Sequence, residues 1–260
     1  RGAALTALAL CPLWRYHAGV TEVFSLHLLA CAALLWLMAR FGAGLAGARA
    51  AAAIGLVFGL GAGNHHTLAL AAPAVAIQAW SARPKKRTLA RAAAWALVFA
   101  VLGSCVYAYL PLRAAKSPPL DWGHPVDAAR FTRALLRRDY GSLSLTVEGR
   151  GSVAGVANRA RRATAQLSRW TAASAAGLGW PLLIAALGGL WAWPAAFGCR
   201  GAIAAWTLAF GPLFLWIGDP PFDAQTSATL ERFYLASWLG LVVLAAAGVE
   251  SLRRRGPPPP

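Results

Sequence analysis

The stretch AAAAIGLVFGLGAGNHHTLALAAPAVAIQAW, residues 50–80, decides how this chain folds. Two apolar segments, 50–63 and 67–80, flank the polar triplet Asn64-His65-His66. Each segment reaches only about 21 Å as a helix, whereas the hydrocarbon core of a bilayer is about 30 Å thick. Arg49 precedes the pair and Arg83 follows it, and positive residues in short loops mark the cytoplasmic side. The pair is therefore predicted to form a hairpin whose triplet points outward.

The composition indicates a membrane protein. Hydrophobic residues make up 58% of the 260 residues and only nine residues are acidic, which predicts an all-α integral membrane protein with a multi-span helical bundle. The formal charge of +16 does not indicate nucleic-acid binding, because many basic residues flank apolar spans and no nucleic-acid-binding signature is present. About eight apolar segments are expected, two of them short: 2–14, 20–39, 50–63, 67–80, 88–110, 172–197, 201–217 and 232–250.

The domain organisation follows from these segments. Residues 1–250 are expected to form one transmembrane domain, with an external loop at 111–170 and a basic, proline-rich cytoplasmic tail at 251–260. Eleven Lys/Arg within 111–170 argue against an external loop, but a loop of this length is at the limit of the charge rule. The chain begins at Arg1 directly against an apolar run, so we expect a fragment that lacks N-terminal spans and a first external loop.

Two helices are predicted within the long loop. Asp127 is placed to cap a helix that runs to about Arg138. Residues 153–170 have apolar residues, including Leu167 and Trp170, on one face and arginines on the other. This pattern suits a helix lying on anionic headgroups, or the surface of an ordinary soluble helix.

Four polar clusters are predicted to lie on the same side of the membrane, and polar groups are costly at membrane depth, so they suggest a site. The clusters are Arg15-Tyr16-His17 with Glu22, Asn64-His65-His66, Arg113 leading into Asp121-Trp122, and Glu231-Arg232. Simpler interpretations stay open. Glu22 can pair with Arg15, Arg232 can pair with Glu231 or Asp219, and Arg113 can extend to the membrane interface.

The residue types in these clusters favour binding of a phosphate and a sugar. No carboxylate lies at ligand spacing from His65 and His66, so we expect hydrogen bonds to a phosphate or sugar and no metal site. Arg113 and Arg232 are candidates for holding one lipid-linked phosphate, since the planar guanidinium suits that geometry. The carboxylate of Asp121 beside an aromatic ring is a common arrangement for binding sugar hydroxyls. The ring is that of Trp122.

Four strings in these clusters carry a family resemblance: Thr21–His27 (TEVFSLH), Gly61–Thr67 (GAGNHHT), Tyr109–Ala115 (YLPLRAA) with Pro119–Gly123 (PLDWG), and Glu231–Ser237 (ERFYLAS). Their order and sequences resemble the transmembrane protein 260 family of protein O-mannosyltransferases and its bacterial relatives. That family resembles the GT-C superfamily of multi-span glycosyltransferases.

The resemblance implies a reaction. It implies transfer of mannose or a related hexose from a polyprenyl-phosphate donor to a protein or glycan acceptor, on the extracytoplasmic side of a bacterial inner membrane. It implies that the acidic catalytic base lies upstream of this chain, so the fragment alone is expected to be inactive and the catalytic residue stays unassigned. The matching positions Glu22, Asn64, His65, Arg113, Asp121 and Arg232 are expected to line the donor or acceptor pocket, with His66 less securely placed.

A second class of protein fits the composition. A multi-span transporter or lipid flippase would also be apolar and basic, but such proteins often contain internal repeats and carry charged groups on broken helices at mid-membrane. No repeat is evident here, and the polar clusters are predicted at one face. The enzyme is therefore the favoured interpretation, with the transporter as the alternative.

Overall fold

The structure is a computed structural model that describes residues 6, 8–20, 22–41, 47–81, 85–121, 123–138, 153–192, 199–220 and 224–255. Every regular element in these ranges is helical, which confirms the all-α fold class. The α-helices are α1 Pro12–Gly19, α2 Val23–Phe41, α3 Ala48–Asn64, α4 Ala72–Ser81, α5 Lys86–Ser104, α6 Tyr109–Ala114, α7 Ala128–Leu135, α8 Val153–Leu178, α9 Trp180–Trp191, α10 Arg200–Leu208, α11 Phe214–Gly218 and α12 Ala224–Arg255.

Four helical stretches are long and apolar enough to cross a membrane: Val23–Arg40, Lys86–Ala114, Arg200–Gly218 and Thr229–Arg254. They correspond to the predicted segments 20–39, 88–110, 201–217 and 232–250. The third stretch stays helical through Pro212 because a π-helical turn, Ala209–Leu213, absorbs the residue that lacks an N–H. Within the described residues the number of such stretches is four, or five if the bent pair α8–α9 is one span, against about eight expected segments.

The predicted segment 172–197 is not one straight helix. Its first residues belong to α8, and α9 leaves α8 at an angle of 111°. The break falls at Gly179, which has φ +83° and is followed two residues later by Pro181. Because α9 has 12 residues, it reaches only about 18 Å. Residues 193–197 lie outside the described residues.

The predicted segment 2–14 is also interrupted. Residues 8–10 are helical, Cys11 is not, and α1 begins at Pro12. Proline disfavours the helical conformation in the residue before it, which explains the break at Cys11. The predicted segment 2–14 is therefore interrupted at Cys11 and is not one continuous helix.

The hairpin around the triplet is present. Helix α3 ends at Asn64, His65 is extended, and a 3₁₀ turn, His66–Ala71, leads into α4. Ala51 near the start of α3 and Trp80 near the end of α4 line the same crevice, so the chain reverses at the triplet. The two helices are separated by that crevice because α4 packs against α10.

Small residues let the helices approach closely. A Cβ on Gly59 of α3 would lie 2.1 Å from the carbonyl oxygen of Ala100 on α5, and one on Gly189 of α9 would lie 2.0 Å from that of Leu244 on α12. Helices in lipid associate through such van der Waals contact, since lipid is as apolar as the helix surfaces. Helix α12 lies at the centre of the core, where Tyr234 and Trp238 are fully buried.

The polar face of α8 binds protein groups. Gln166 is buried and donates to the carbonyl oxygen of Pro220, Arg162 pairs with Asp219, and Arg169 pairs with Glu231. Leu167, predicted for the apolar face, is 44% exposed. The arrangement predicted for headgroup contact is therefore wrong for these residues, because Asp219 and Pro220 after α11 and Glu231 of α12 supply acceptors that match their spacing.

Candidate functional site

An ion pair and a side-chain hydrogen bond bring three predicted site residues together at one end of the bundle. Arg232 of α12 places its Nη1 2.8 Å from Oε2 of Glu22, the residue that directly precedes α2. Asn64 Nδ2, at the end of α3, donates to the backbone oxygen of Val23 at 2.8 Å. Arg15 is exposed and has no ion-pair partner within the described ranges, so the alternative in which Glu22 pairs with Arg15 is wrong. The alternatives that pair Arg232 with Glu231 or Asp219 are wrong as well.

An aromatic cluster joins this ion pair to the histidines. The Phe24 ring lies under the Arg232 guanidinium at 4.8 Å, and its centroid is 5.1 Å from that of His65 and 4.8 Å from that of Phe233. Phe233 in turn stacks on Phe214. A cation over an aromatic face is stabilised by the ring quadrupole, so Phe24 helps to fix the Arg232 head group.

Hydrogen bonds fix the tautomer of His65. Its Nδ1 accepts from the backbone N–H of Thr67 and lies 2.7 Å from the Thr67 hydroxyl. An accepting Nδ1 carries no proton, so the neutral ring bears its proton on Nε2. The Thr67 hydroxyl then donates to His65 and accepts from His27 Nε2, 3.3 Å away. This His27–Thr67–His65 chain leaves the His65 Nε2–H as a donor.

A second chain holds His66. Tyr107 Oη donates to the carbonyl oxygen of Ala62 at 2.6 Å and lies 3.0 Å from His66 Nε2. Because the Tyr107 hydroxyl donates its one proton to the Ala62 carbonyl oxygen, His66 Nε2 must be the donor in the hydrogen bond to Tyr107. The rings of His66 and Tyr107 are also stacked, with centroids 6.0 Å apart.

The histidine turn forms one wall of a cavity of about 840 Å³. The segment after α7 contributes Arg137 and Arg138 to the lining. Phe214, Ile217 and Gly218 of α11 contribute to it as well, together with Phe233. The lining contains no carboxylate among the described residues. The cavity therefore combines basic groups, histidines and apolar side chains, which suits a ligand with an anionic and an apolar part.

The electrostatics keep the cavity histidines neutral. Burial is the main cause that lowers the pKa of His65 to about 4, and the neighbouring Arg137, His66 and Arg232 contribute in the same direction. Burial also lowers the pKa of His66, with Arg137 as a second cause. Both residues lie in the turn between α3 and α4, outside the membrane-crossing stretches. At neutral pH they can donate or accept hydrogen bonds without adding charge.

The predicted site residues do not all meet. Asn64, His65 and His66 line the cavity, and Glu22 and Arg232 adjoin it through Phe24 and Phe233. Arg113 is exposed and does not line the cavity, and its side chain has no hydrogen-bond or ion-pair partner within the described ranges. Asp121 pairs with His124 outside the cavity lining. Trp122 lies outside the described residues.

Sequence reasoning missed several cavity residues. Arg137 and Arg138 appear in the sequence as the end of a predicted helix, and nothing in their spacing connects them to His65. Thr67 directly follows the triplet, and its place in the hydrogen-bond chain is not visible without the 3₁₀ turn. Phe24 and Phe233 lie next to or near the predicted Glu22 and Arg232, and this adjacency is the one signal that the sequence offered for them.

The fold and the site define a class: a helical protein with stretches long and apolar enough to cross a membrane and with a basic, histidine-containing cavity at one end of the bundle. Residues 2–89 match the family model described as Protein O-mannosyl-transferase TMEM260 N-terminal domain. The matched region covers about a third of the chain and contains Glu22 and the Asn64-His65-His66 triplet. No curated protein and no solved structure matches the chain.

Proposed function

We propose that this protein is a membrane glycosyltransferase of the GT-C type that moves mannose or a related hexose from a polyprenyl-phosphate donor to a protein or glycan acceptor. The family match over residues 2–89 supports mannose as the transferred sugar and a protein as the acceptor. The observation that carries the proposal is the cavity, because two arginines and the neutral histidines of the matched region line it together.

The cavity suits the phosphate and sugar of such a donor. Arg137 and Arg138 offset the charge that builds on the departing phosphate, since preorganised cations are most effective where charge develops during the reaction. The His65 Nε2–H and the Asn64 amide supply hydrogen bonds to the sugar or phosphate oxygens. Arg232 does not line the cavity, but its positive charge reaches the cavity wall, where it helps to lower the pKa of His65.

The acceptor hydroxyl requires a carboxylate base. Glu22 is held by Arg232, and the lining contains no carboxylate among the described residues, so we place the base outside these lining residues. In this proposal Glu22 orients Arg232. Asp121, which pairs with His124, would approach the acceptor or the sugar.

The cavity end is proposed to face the extracytoplasmic side of a bacterial cytoplasmic membrane. The opposite end of the bundle carries Arg40 at the end of α2, Lys85 and Lys86 at the start of α5, and Arg253 near the end of α12. Positive residues in short loops mark the cytoplasmic side, which supports this orientation.

A transfer assay with matched arginine variants tests the proposal. The full-length protein in proteoliposomes receives polyprenyl-phosphate mannose and a Ser/Thr-containing acceptor peptide, and labelled peptide is measured. Arg137→Gln is expected to lower turnover by about 100-fold, as for loss of one preorganised group at a developing charge. Arg161→Gln, an exposed arginine of α8, is the control and is expected to leave turnover unchanged.

Arg113→Gln distinguishes the cavity from the arginine pair suggested by the sequence. Loss of turnover in Arg113→Gln with normal turnover in Arg137→Gln would contradict the assignment of this cavity. The transporter would be favoured by two results together. The unmodified protein would show no transfer, and cysteines in the cavity would react with labels from each side of the membrane in turn.

A further inference from the structure

A second, apolar crevice lies between α3, α4 and α5. It arises because α3 and α5 approach closely at small residues such as Gly55, whereas α4 turns away to pack against α10. The contact of α4 with α10 is fixed at its end, where Gln78 Oε1 accepts from the backbone N–H of Cys199 and Ser81 Oγ lies 2.9 Å from Cys199 Sγ. The separation of α4 from α3 is thus a fixed feature of the fold.

The crevice has the size of a hydrocarbon chain. Its volume is about 550 Å³, and its lining is apolar, with Ile54, Phe58, Val75, Trp80 and Leu97 among its larger side chains. The lining residues of α5 run from Leu89 to Ala100, a length of about 16 Å.

The mouth of the crevice is basic. Trp80 is 68% exposed at the end of α4, and Leu89, one turn into α5, lines the same end of the crevice. The exposed cations Lys85, Lys86, Arg87 and Arg91 lie at the start of α5, at the same end as this mouth. None of the four has a hydrogen-bond or ion-pair partner among the side chains that the structure describes. Four unpaired cations beside an apolar crevice attract an anionic headgroup.

We propose that this crevice binds one acyl chain of an anionic phospholipid, whose headgroup lies on Lys85, Lys86, Arg87 and Arg91. The lipid would fill the gap between α3 and α4 and hold the hairpin whose tip carries the histidine turn. This site is separate from the cavity and does not depend on the reaction proposed for it. The basic mouth selects against zwitterionic lipids, which lack the net negative charge.

Native mass spectrometry of the full-length protein tests the proposal. The protein is reconstituted in nanodiscs that contain equal amounts of phosphatidylglycerol and phosphatidylcholine, released into detergent, and its retained lipids are identified. The unmodified protein is expected to retain one phosphatidylglycerol in at least tenfold excess over phosphatidylcholine. Ala93→Phe, which fills the crevice from its open side, is expected to remove this lipid. Ala94→Phe, one residue away and not in the lining, is expected to retain it.

A pair of charge variants gives an independent test that leaves the packing intact. Lys86→Gln with Arg87→Gln is expected to reduce retention of phosphatidylglycerol by roughly tenfold or more, because each cation near an anionic lipid contributes about 1 kcal/mol. Arg40→Gln with Arg253→Gln removes the same number of exposed charges elsewhere and is expected to have little effect.

Equal retention in Ala93→Phe and the unmodified protein would overturn the proposal. So would equal retention of the two phospholipids, retention of a polyprenyl phosphate in place of phosphatidylglycerol, or a second protein copy at this face. Loss of lipid in Ala94→Phe as well as Ala93→Phe would also contradict it, since the lipid would then not depend on the crevice.

Discussion

The ion pair between Glu22 and Arg232, with a distance of 2.8 Å between Oε2 and Nη1, joins residues that are 210 positions apart in the chain. It connects the start of α2 to α12 beside the histidine turn. Both side chains are partly exposed, at 36% and 27%. The pair therefore positions the Arg232 head group over Phe24 more than it stabilises the fold, since partly exposed pairs contribute little.

A double-mutant cycle tests this pair. Glu22→Ala and Arg232→Ala are expected to show a coupling free energy of unfolding of about 1 kcal/mol, as for other partly exposed pairs. Arg15→Ala, which removes an exposed arginine near Glu22 that has no ion-pair partner in the described ranges, is the control and is expected to show no coupling with Glu22→Ala. Thermal unfolding in detergent measures all variants. Coupling of Glu22 with Arg15 in place of Arg232 would contradict the observed contact.

The neutral state of His65 predicts a pH dependence of stability. Its folded pKa of about 4 lies below the ordinary value of 6.5, so the unfolded chain binds more protons between these values. The free energy of unfolding is therefore expected to fall as the pH drops from 6.5 to 4 and to lose this dependence below 4. His65→Gln should reduce the slope in that window. An unchanged slope in the variant would show that His65 is not held neutral by the fold.

Thr67 is expected to act on the reaction through His65. Thr67→Val removes the hydroxyl between His27 and His65 while keeping the shape, and turnover is expected to fall about tenfold for loss of one such hydrogen bond. Thr67→Ser keeps the hydroxyl and is expected to restore turnover. The readout is mannosyl transfer at saturating donor, together with the melting temperature. Equal loss in both variants would indicate a packing role for the methyl group.

The α9–α12 contact offers two adjacent glycines with opposite surroundings. Gly189→Ala would place a Cβ 2.0 Å from a backbone oxygen, so we expect a loss of stability of about 2 kcal/mol. A Cβ on Gly188 would have nothing within 4 Å, and Gly188→Ala is expected to be neutral or stabilising by up to about 1 kcal/mol. Melting temperatures of both variants measure the difference. Similar effects at the two positions would contradict the helix packing.

The loop after α11 depends on one buried ion pair. Asp219 is 9% exposed, adopts φ +42° and accepts two hydrogen bonds from Arg162, at 3.0 and 2.8 Å. Asn adopts this backbone conformation as readily as Asp, so Asp219→Asn removes only the negative charge. We expect a loss of about 3 kcal/mol in the free energy of unfolding, because Arg162 loses its anionic partner. Arg254→Ala breaks an exposed pair with Glu250 and is expected to cost less than about 1 kcal/mol. Equal costs would contradict the burial of the Arg162 pair.

The sequence was sufficient for the parts of the fold that depend on local hydrophobicity and charge. Apolar runs located the membrane-crossing stretches, and the cap at Asp127, which accepts from the Arg130 N–H, follows from local chemistry. The bend at Gly179 was missed because the segment was predicted from its hydrophobicity, although Gly179 and Pro181 are residue types that often interrupt a helix. The helix end predicted at about Arg138 lies at Leu135 in the structure.

The site was predictable only where its residues are neighbours in the sequence. The Asn64-His65-His66 turn was found because a polar triplet between apolar helices is conspicuous. Arg137 could not be assigned, because its approach to His65 depends on how a segment after α7 folds back onto the bundle. The polar face of α8 was assigned to lipid headgroups since a sequence shows which residues share a face but not the acceptors that they meet.

The cavity beside His65 is proposed to hold the phosphate-linked sugar donor. Photocrosslinking with a photoreactive polyprenyl-phosphate mannose analogue, followed by peptide mapping of the full-length protein, tests this binding. We expect the label on peptides that contain His65 or Arg137, and we expect unlabelled donor to compete for it. Competable labelling confined to the Arg113–Asp121 region, or no competable labelling at the histidine turn, would contradict it.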